Sequence, residues 1–230
     1  MATMVLMDFI VMRKPIAQLA LTSLFVSLFL GAVSIAAFFP FIFVMSLLTV
    51  DEQNGWERFR LTMPVTRNQV VRGRYLTALL AAALSAVAAT ALAVPFSWLA
   101  QMGLPVAPLF SEEGVSGAEL LPTAAASACA AALAILVLLS ISLPIYMRFG
   151  ATKAARMAPA IVVLVFCGGM AALGQIGVLD QWGPQVAAWL QNLVSAGQLG
   201  WVAAGATLAV LAVYAASSAI SCAIYARRQF

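Results

Sequence analysis

The sequence contains no histidine. That absence removes zinc sites of the histidine type, Ser-His and Cys-His catalytic pairs, and histidine-based pH switching. Charge is also scarce, because Asp, Glu, Lys and Arg make up only 9% of the 230 residues, against about a quarter in soluble domains. The three cysteines, Cys129, Cys167 and Cys222, each fall inside an apolar run, where a thiol behaves as a small hydrophobe. Neither a disulfide nor a metal site is expected. The only lysines are Lys14 and Lys153, and neither follows the glycines of a G-x-x-x-x-G-K-S/T phosphate loop. The chain therefore cannot bind ATP in that way, and no cofactor of its own is expected. No nucleophile-base pair is visible, so an intramembrane enzyme has almost nothing behind it. No ionisable side chain other than Tyr sits in the middle of an apolar run, where a carboxylate or Lys is the usual mark of ion-coupled transport. Proton-driven export is disfavoured accordingly.

What is abundant is apolar sequence: 64% of residues are hydrophobic and the mean hydropathy is +1.03. This is the composition of a polytopic membrane protein, all-α and built as a helical bundle. No cleavable signal peptide is expected, because the first apolar run is followed by more apolar sequence rather than by a small-residue cleavage site. The first fourteen residues, with Leu6, Phe9 and Ile10 among Asp8, Arg13 and Lys14, read as an interfacial helix leading in. Residues 16–50 carry no formal charge and exceed one span. Two helices turning near Gly31 to Ser34 leave Arg13 and Lys14 on the same side as the next polar segment. The hairpin is tight, and its legs are short enough to be tilted or partly re-entrant.

Six spans are expected, over residues 16–31, 34–50, 76–100, 120–146, 158–178 and 199–226, with Pro144 closing the fourth. An external loop at 101–119 holds two prolines, three glycines and three acids. Residues 180–198 bring Trp182, Val186, Trp189, Leu190 and Leu193 onto one face of an outer interfacial helix, read as an anchoring aromatic belt in preference to a substrate contact. With six spans and both termini cytoplasmic, all twelve Lys and Arg fall on one side of the plasma membrane, while Glu112, Glu113, Glu119 and Asp180 fall on the other.

The densest charge lies in Asp51 to Tyr75, DEQNGWERFRLTMPVTRNQVVRGRY. Asn54-Gly55 reads as a helix stop. Trp56, Phe59 and Met63 recur at helical spacing, which suits a short segment lying along the membrane surface until Pro64 ends it. Thr66 and Gln69 have the spacing of a capping box, so a second helix should begin there. From Arg67 it runs into the apolar stretch after Tyr75, which makes the segment a lever on a membrane helix. On spacing alone, an ordinary basic loop that only sets topology fits equally well.

The run DExxGWExxxxxxPVTRxxVVxxRY resembles the loop between the second and third membrane helices of ABC-2-type transporter permeases, particularly the small bacterial six-helix permeases. Their pattern is an acidic pair, Gly-aromatic-Glu, Leu-Pro-Val-Ser-Arg and a Lys/Arg-Tyr start to the next helix. Here Met63 stands for the Leu and Thr66 for the Ser. A second stretch, LPIYMRFGATKAAR, resembles the same permeases at the following polar loop.

The resemblance implies an exporter subunit with two permease chains over two separate ABC ATPase chains, ATP-Mg being held by the ATPase. It implies an ATPase-coupling interface at Glu52, Gly55, Trp56, Glu57, Arg58, Pro64, Arg67, Arg74 and Tyr75. A second cytoplasmic loop would contribute Arg148, Gly150, Lys153 and Arg156. The expected cargo is an amphiphile such as an antimicrobial peptide, a drug or a lipid-like compound. Expected partners are the ATPase, a second permease chain and membrane lipid, with no nucleic acid. The alternative is a non-transporting membrane protein whose basic loop binds a regulator or anionic lipid. Small residues, Ala81, Ala82, Ala83, Ser85 and Ala86 in the third span and Ala215 to Ser218 in the sixth, suit close packing within one bundle or between two chains. Isolated polar residues such as Gln18, Thr22 and Ser23 are expected to bond their own backbone or a neighbouring helix more often than a substrate.

Overall fold

In the computed structural model, the described residues are 2–30, 33–54, 66–101, 117–149 and 199–227, with isolated helical positions between 161 and 192. They form helices α1 (Ala2–Val11), α2 (Arg13–Leu30), α3 (Val33–Gln53), α4 (Arg67–Gln101), α5 (Gly117–Phe149) and α6 (Leu199–Arg227), and no strand occurs among them. The expected fifth span at 158–178 and outer helix at 180–198 lie outside the described residues, apart from those isolated positions.

Among the described residues, three helices are long and apolar enough to cross a membrane on their own, over Arg67–Pro95, Ala124–Phe149 and Gly200–Ala226. The hairpin before them is subtler. Residues 16–50 do divide into α2 and α3, close to the expected turn. The apolar part of α3, Ile35–Asp51, is shorter than a full span, and α1 with α2 forms a helix pair bent by 77°. The helices α2 and α3 run antiparallel: Pro15 and Gln18 share one groove with Thr49 and Val50, whereas Leu24 shares another with Ile35 and Phe39.

Local chemistry sets most helix ends. The helix α3 closes where expected, with the Asn54 amide bonded to the Val50 carbonyl at 3.0 Å. The capping box at the start of α4 is formed in both directions: the Gln69 amide donates to Thr66 Oγ1 at 3.4 Å, and the Thr66 amide donates to Gln69 Oε1 at 3.1 Å. The expectation for Pro144 is not met. Pro144 does not end α5, which continues to Phe149. Pro40 also lies inside α3, fully buried, where neighbouring helices can satisfy the backbone group it frees.

The core is a contact of small against small and large against large. On α4, Ala78, Ala81, Ala82, Ser85, Ala89 and Ala93 form a buried stripe at helical spacing, and α5 answers with Ala124, Ala128 and Ala132 before widening to Leu136, Leu139 and Leu143. The side chains without β-carbon branches let the backbones approach, so van der Waals contact holds the pair where lipid supplies no hydrophobic force. Phe43 and Leu47 of α3 and Met12 before α2 complete the wider end of this core. Ala83 is exposed on the far side of α4, as are Ala215 and Ala216 on α6. Thr22 and Ser23 donate to carbonyls one turn earlier, at 3.0 and 2.9 Å, as expected for hydroxyls in apolar helices.

Candidate functional site

The end of α3, the start of α4 and the ends of α5 and α6 meet at one end of the bundle. Arg74 stands at the centre. Its guanidinium holds Asp8 of α1 through Nη1 at 3.2 Å and Asp51 of α3 through Nη2, and all three side chains are about 95% buried or more. Thr77, one turn along α4, donates to Asp8 Oδ2 at 3.1 Å and also lies within 3.0 Å of the Gly73 carbonyl. A small cavity of about 20 Å³ beside the cluster is lined by Asp51, Arg74, Tyr146 and Tyr225, which places residues from α3, α4, α5 and α6 around one polar point. That is about the space one water molecule occupies.

Arg suits this position because its planar fork presents separate N–H groups to two carboxylates, which a lysine ammonium on a single point cannot do equally well. Burial of such charges is costly unless they are paired, so the cluster fixes the relative positions of α1, α3 and α4. Phe9 stacks on Phe43 at 5.6 Å, which adds an apolar contact to the same clasp between α1 and α3.

A second network joins α4 to α6. The Tyr75 hydroxyl lies 2.8 Å from Ser217 Oγ and 2.7 Å from Ser221 Oγ, and the Tyr214 hydroxyl donates to the Tyr75 carbonyl at 2.9 Å. The two tyrosine rings are tilted against each other with centroids 5.0 Å apart. Ser217 also donates to the Ser140 carbonyl of α5. At the outer edge, Arg67 Nη1 donates to the Ala226 carbonyl at 3.1 Å and so satisfies the C-terminal end of α6.

These positions redistribute the coupling residues expected from sequence. Arg67 is exposed at the start of α4, and Arg148 is exposed near the end of α5, with its guanidinium carbon 5.3 Å from the Phe149 ring centre. Arg74 and Tyr75, in contrast, face inward and are buried, so their contribution is made within the bundle. Asp51 is buried as well, which means that both ends of the polar segment are tucked into the protein. Glu52 falls in the last turn of α3, whereas Gly55, Trp56, Glu57, Arg58, Pro64, Gly150, Lys153 and Arg156 lie outside the described residues.

Asp8, Thr77, Ser217, Ser221, Tyr214 and Tyr225 were not among the expected site residues. Two of these signals were visible in retrospect. Asp8 is a lone acid between Val5-Leu6-Met7 and Phe9-Ile10-Val11, and a charge in such surroundings needs a partner. Tyr214, Ser217, Ser221 and Tyr225 recur at three- and four-residue steps and mark one polar stripe on an otherwise apolar helix.

A family model described as ABC-2 family transporter protein matches residues 3–226, nearly the whole chain. No curated protein and no solved structure gives a significant match.

Proposed function

The chain belongs to the ABC-2 family of transporter proteins, and from that premise we propose that it is the permease subunit of an ABC exporter powered by a separate ATPase polypeptide. In this reading the chain has no nucleotide site and no enzymatic activity of its own, ATP-Mg is bound by the partner, and two permease chains stand over two ATPases. The polar segment at 51–75 seats against the ATPase on the cytoplasmic side of the plasma membrane, with the loop containing Arg148 and Lys153 beside it. Both termini are cytoplasmic. The cargo is an amphiphile, which suits a bundle with no charge at mid-membrane depth.

The observation that carries this reading is the continuity of α4. A helix that begins at a formed capping box beside the polar segment runs unbroken from Arg67 to Gln101. Seven residues along it, Arg74 grips α1 and α3, and Tyr75 grips α6. Displacement of the segment by a partner therefore moves three other helices, which is what coupling requires.

The test is affinity purification of the tagged chain from its native membrane with identification of any co-purifying ABC ATPase, followed by ATP hydrolysis of the pair in proteoliposomes. A stable complex whose hydrolysis responds to an amphiphilic cargo is expected. Recovery of the permease alone, with unchanged hydrolysis by the ATPase, would overturn the proposal.

A further inference from the structure

Two grooves of nearly equal size border α2, one of about 540 Å³ and one of about 550 Å³. Both fall in the range of small-molecule sites, roughly 300–1,000 Å³. Their chemistry separates them. The larger is bounded by α2, α3 and α4, and the polar side chains that line it among the described residues are Ser23 and Ser85. Each already donates to a carbonyl of its own helix at 2.9 Å, so this groove asks nothing of an occupant beyond apolar surface.

The smaller groove runs between α2 and α3 and ends against Tyr146 of α5. Leu19, Phe41, Ile42 and Met45 make an apolar trough, and Gln18 of α2 and Ser46 of α3 line it, one from each wall. On the same two helices Thr22, Ser23, Ser27 and Thr49 each donate to a carbonyl three or four residues back, the usual way a hydroxyl is satisfied in an apolar helix. Ser46 does not. Neither its hydroxyl nor the Gln18 carboxamide has a hydrogen-bond partner among the described residues. Polar groups left unpaired in apolar surroundings are costly, and acyl chains cannot satisfy them. Mostly apolar walls with a few convergent hydrogen-bonding groups are the make-up of a ligand site.

The class of occupant follows from those two groups. A carboxamide and a hydroxyl each donate and accept, and the described residues lining the groove include no Asp, Glu, Lys or Arg to neutralise a charged head. An amide answers both: its N–H donates to the Gln18 side-chain oxygen while its own oxygen accepts from the Ser46 hydroxyl. We propose that this groove is the cargo-recognition site and takes an uncharged amphiphile with an amide head, the amide between Gln18 and Ser46 and the alkyl chain along Leu19, Ile42 and Met45. The position suits a site that must be sensed. Tyr146 lines both this groove and the small cavity beside Asp51 and Arg74, and Thr49 and Val50 of the groove wall lead directly into Asp51. An occupant that displaces Tyr146 or the end of α3 therefore acts on the ion pair joining α3 to α4. The role as cargo rests on the permease reading, whereas binding does not.

The experiment is scintillation-proximity binding of tritiated dodecanamide to the purified intact chain in nanodiscs, with dodecanoate and dodecylamine, which put a charge on a similar alkyl chain, as competitors. Dodecanamide should bind about tenfold more tightly than either, the worth of one net hydrogen bond. Gln18→Leu and Ser46→Ala should each remove most of that preference, and Ile42→Trp, which fills the trough from an exposed position, should weaken dodecanamide by a similar factor. Leu21→Trp, in the other groove, should change nothing. Equal binding of the three compounds, tighter binding of a charged one, a preference unchanged in Gln18→Leu and Ser46→Ala, or an equal loss in Leu21→Trp would each overturn the site. ATP hydrolysis by the reconstituted pair should rise with dodecanamide, and rise less in Ser46→Ala. Normal binding with no rise, from a pair that responds to another amphiphile, would overturn the cargo role. A chain that binds dodecanamide as expected but recruits no ATPase would refute the permease reading and leave the binding site standing.

Discussion

The guanidinium of Arg74 and the carboxylate of Asp8 lie 3.2 Å apart in a buried contact between the first and fourth helices. Breaking such a pair from one side leaves an uncompensated charge, at a cost of about 3–5 kcal/mol. Arg74→Ala should therefore lower the melting temperature of the detergent-solubilised protein sharply, and Asp8→Asn less so, because the amide oxygen still accepts from Arg74 and only the oxygen that accepted from Thr77 is replaced by NH2. Arg74→Lys should rescue only in part, since the fork that serves Asp8 and Asp51 together is lost. A triple Asp8→Asn/Asp51→Asn/Arg74→Met variant should be more stable than Arg74→Ala alone. Thermal unfolding followed by fluorescence-detected chromatography checks the order, and an Arg74→Ala protein as stable as wild type would remove the cluster from any role in holding the bundle.

Between α4 and α6 the holding force is neutral. Tyr75→Phe keeps the ring against Tyr214 and removes both contacts to Ser217 and Ser221. Interhelical hydrogen bonds of this kind average about 0.6 kcal/mol in membrane proteins, so a small loss of stability is expected, well below that for Arg74→Ala. The double-mutant cycle of Tyr75→Phe with Ser221→Ala should show a coupling of that order. Additive single effects would mean that the hydroxyl contacts do not hold α6 in place.

What could be read from sequence divides by range. The α3 stop at Asn54, the capping box at Thr66 and the continuous helix from Arg67 depend on residues within one turn of each other, and all three are present. The Asp8–Arg74 pair and the Tyr75–Ser221 contact join distant parts of the chain, so no local pattern could assign the partners. A charge near a polar segment looks like surface charge until the packing of α1 shows that it is enclosed. Pro144 misled for a related reason: helix-breaking is a local penalty, and neighbouring helices at membrane depth can satisfy the freed backbone groups.

The placement of charge makes a topology test possible without a partner protein. Single cysteines at Gly103 and Gln181, in a background lacking Cys129, Cys167 and Cys222, should react with a membrane-impermeant maleimide in intact cells. Cysteines at Arg60, Thr152 and Gln229 should react only after permeabilisation, because the Lys and Arg residues concentrate on that side. Labelling of position 60 in intact cells would reverse the orientation on which the coupling proposal rests.

Coupling itself is tested at Glu57 and Arg67. Membrane insertion gives no reason for an acid at position 57, since basic residues alone would set topology; a mixed-sign surface suits a protein partner. Arg67 is exposed at the start of α4 while one of its nitrogens holds the Ala226 carbonyl at the end of α6, so a partner that engages it acts on two helices at once. Removing one member of a desolvated charge pair costs about 2–5 kcal/mol, whereas a rim charge costs little. Glu57→Ala and Arg67→Ala should therefore reduce the amount of ATPase recovered with the permease, or leave it bound with hydrolysis no longer responsive to cargo. Glu112→Ala and Glu113→Ala, in the polar stretch that the charge distribution predicts to be external, should change neither quantity. The Arg67→Ala protein should also lose the cap on α6, so Ala226 is substituted separately by Gly to loosen that helix end without touching the exposed charge. If Ala226→Gly reproduces the Arg67→Ala defect and Glu57→Ala couples normally, the segment serves only to orient and brace the bundle, and the ATPase contact must be sought elsewhere.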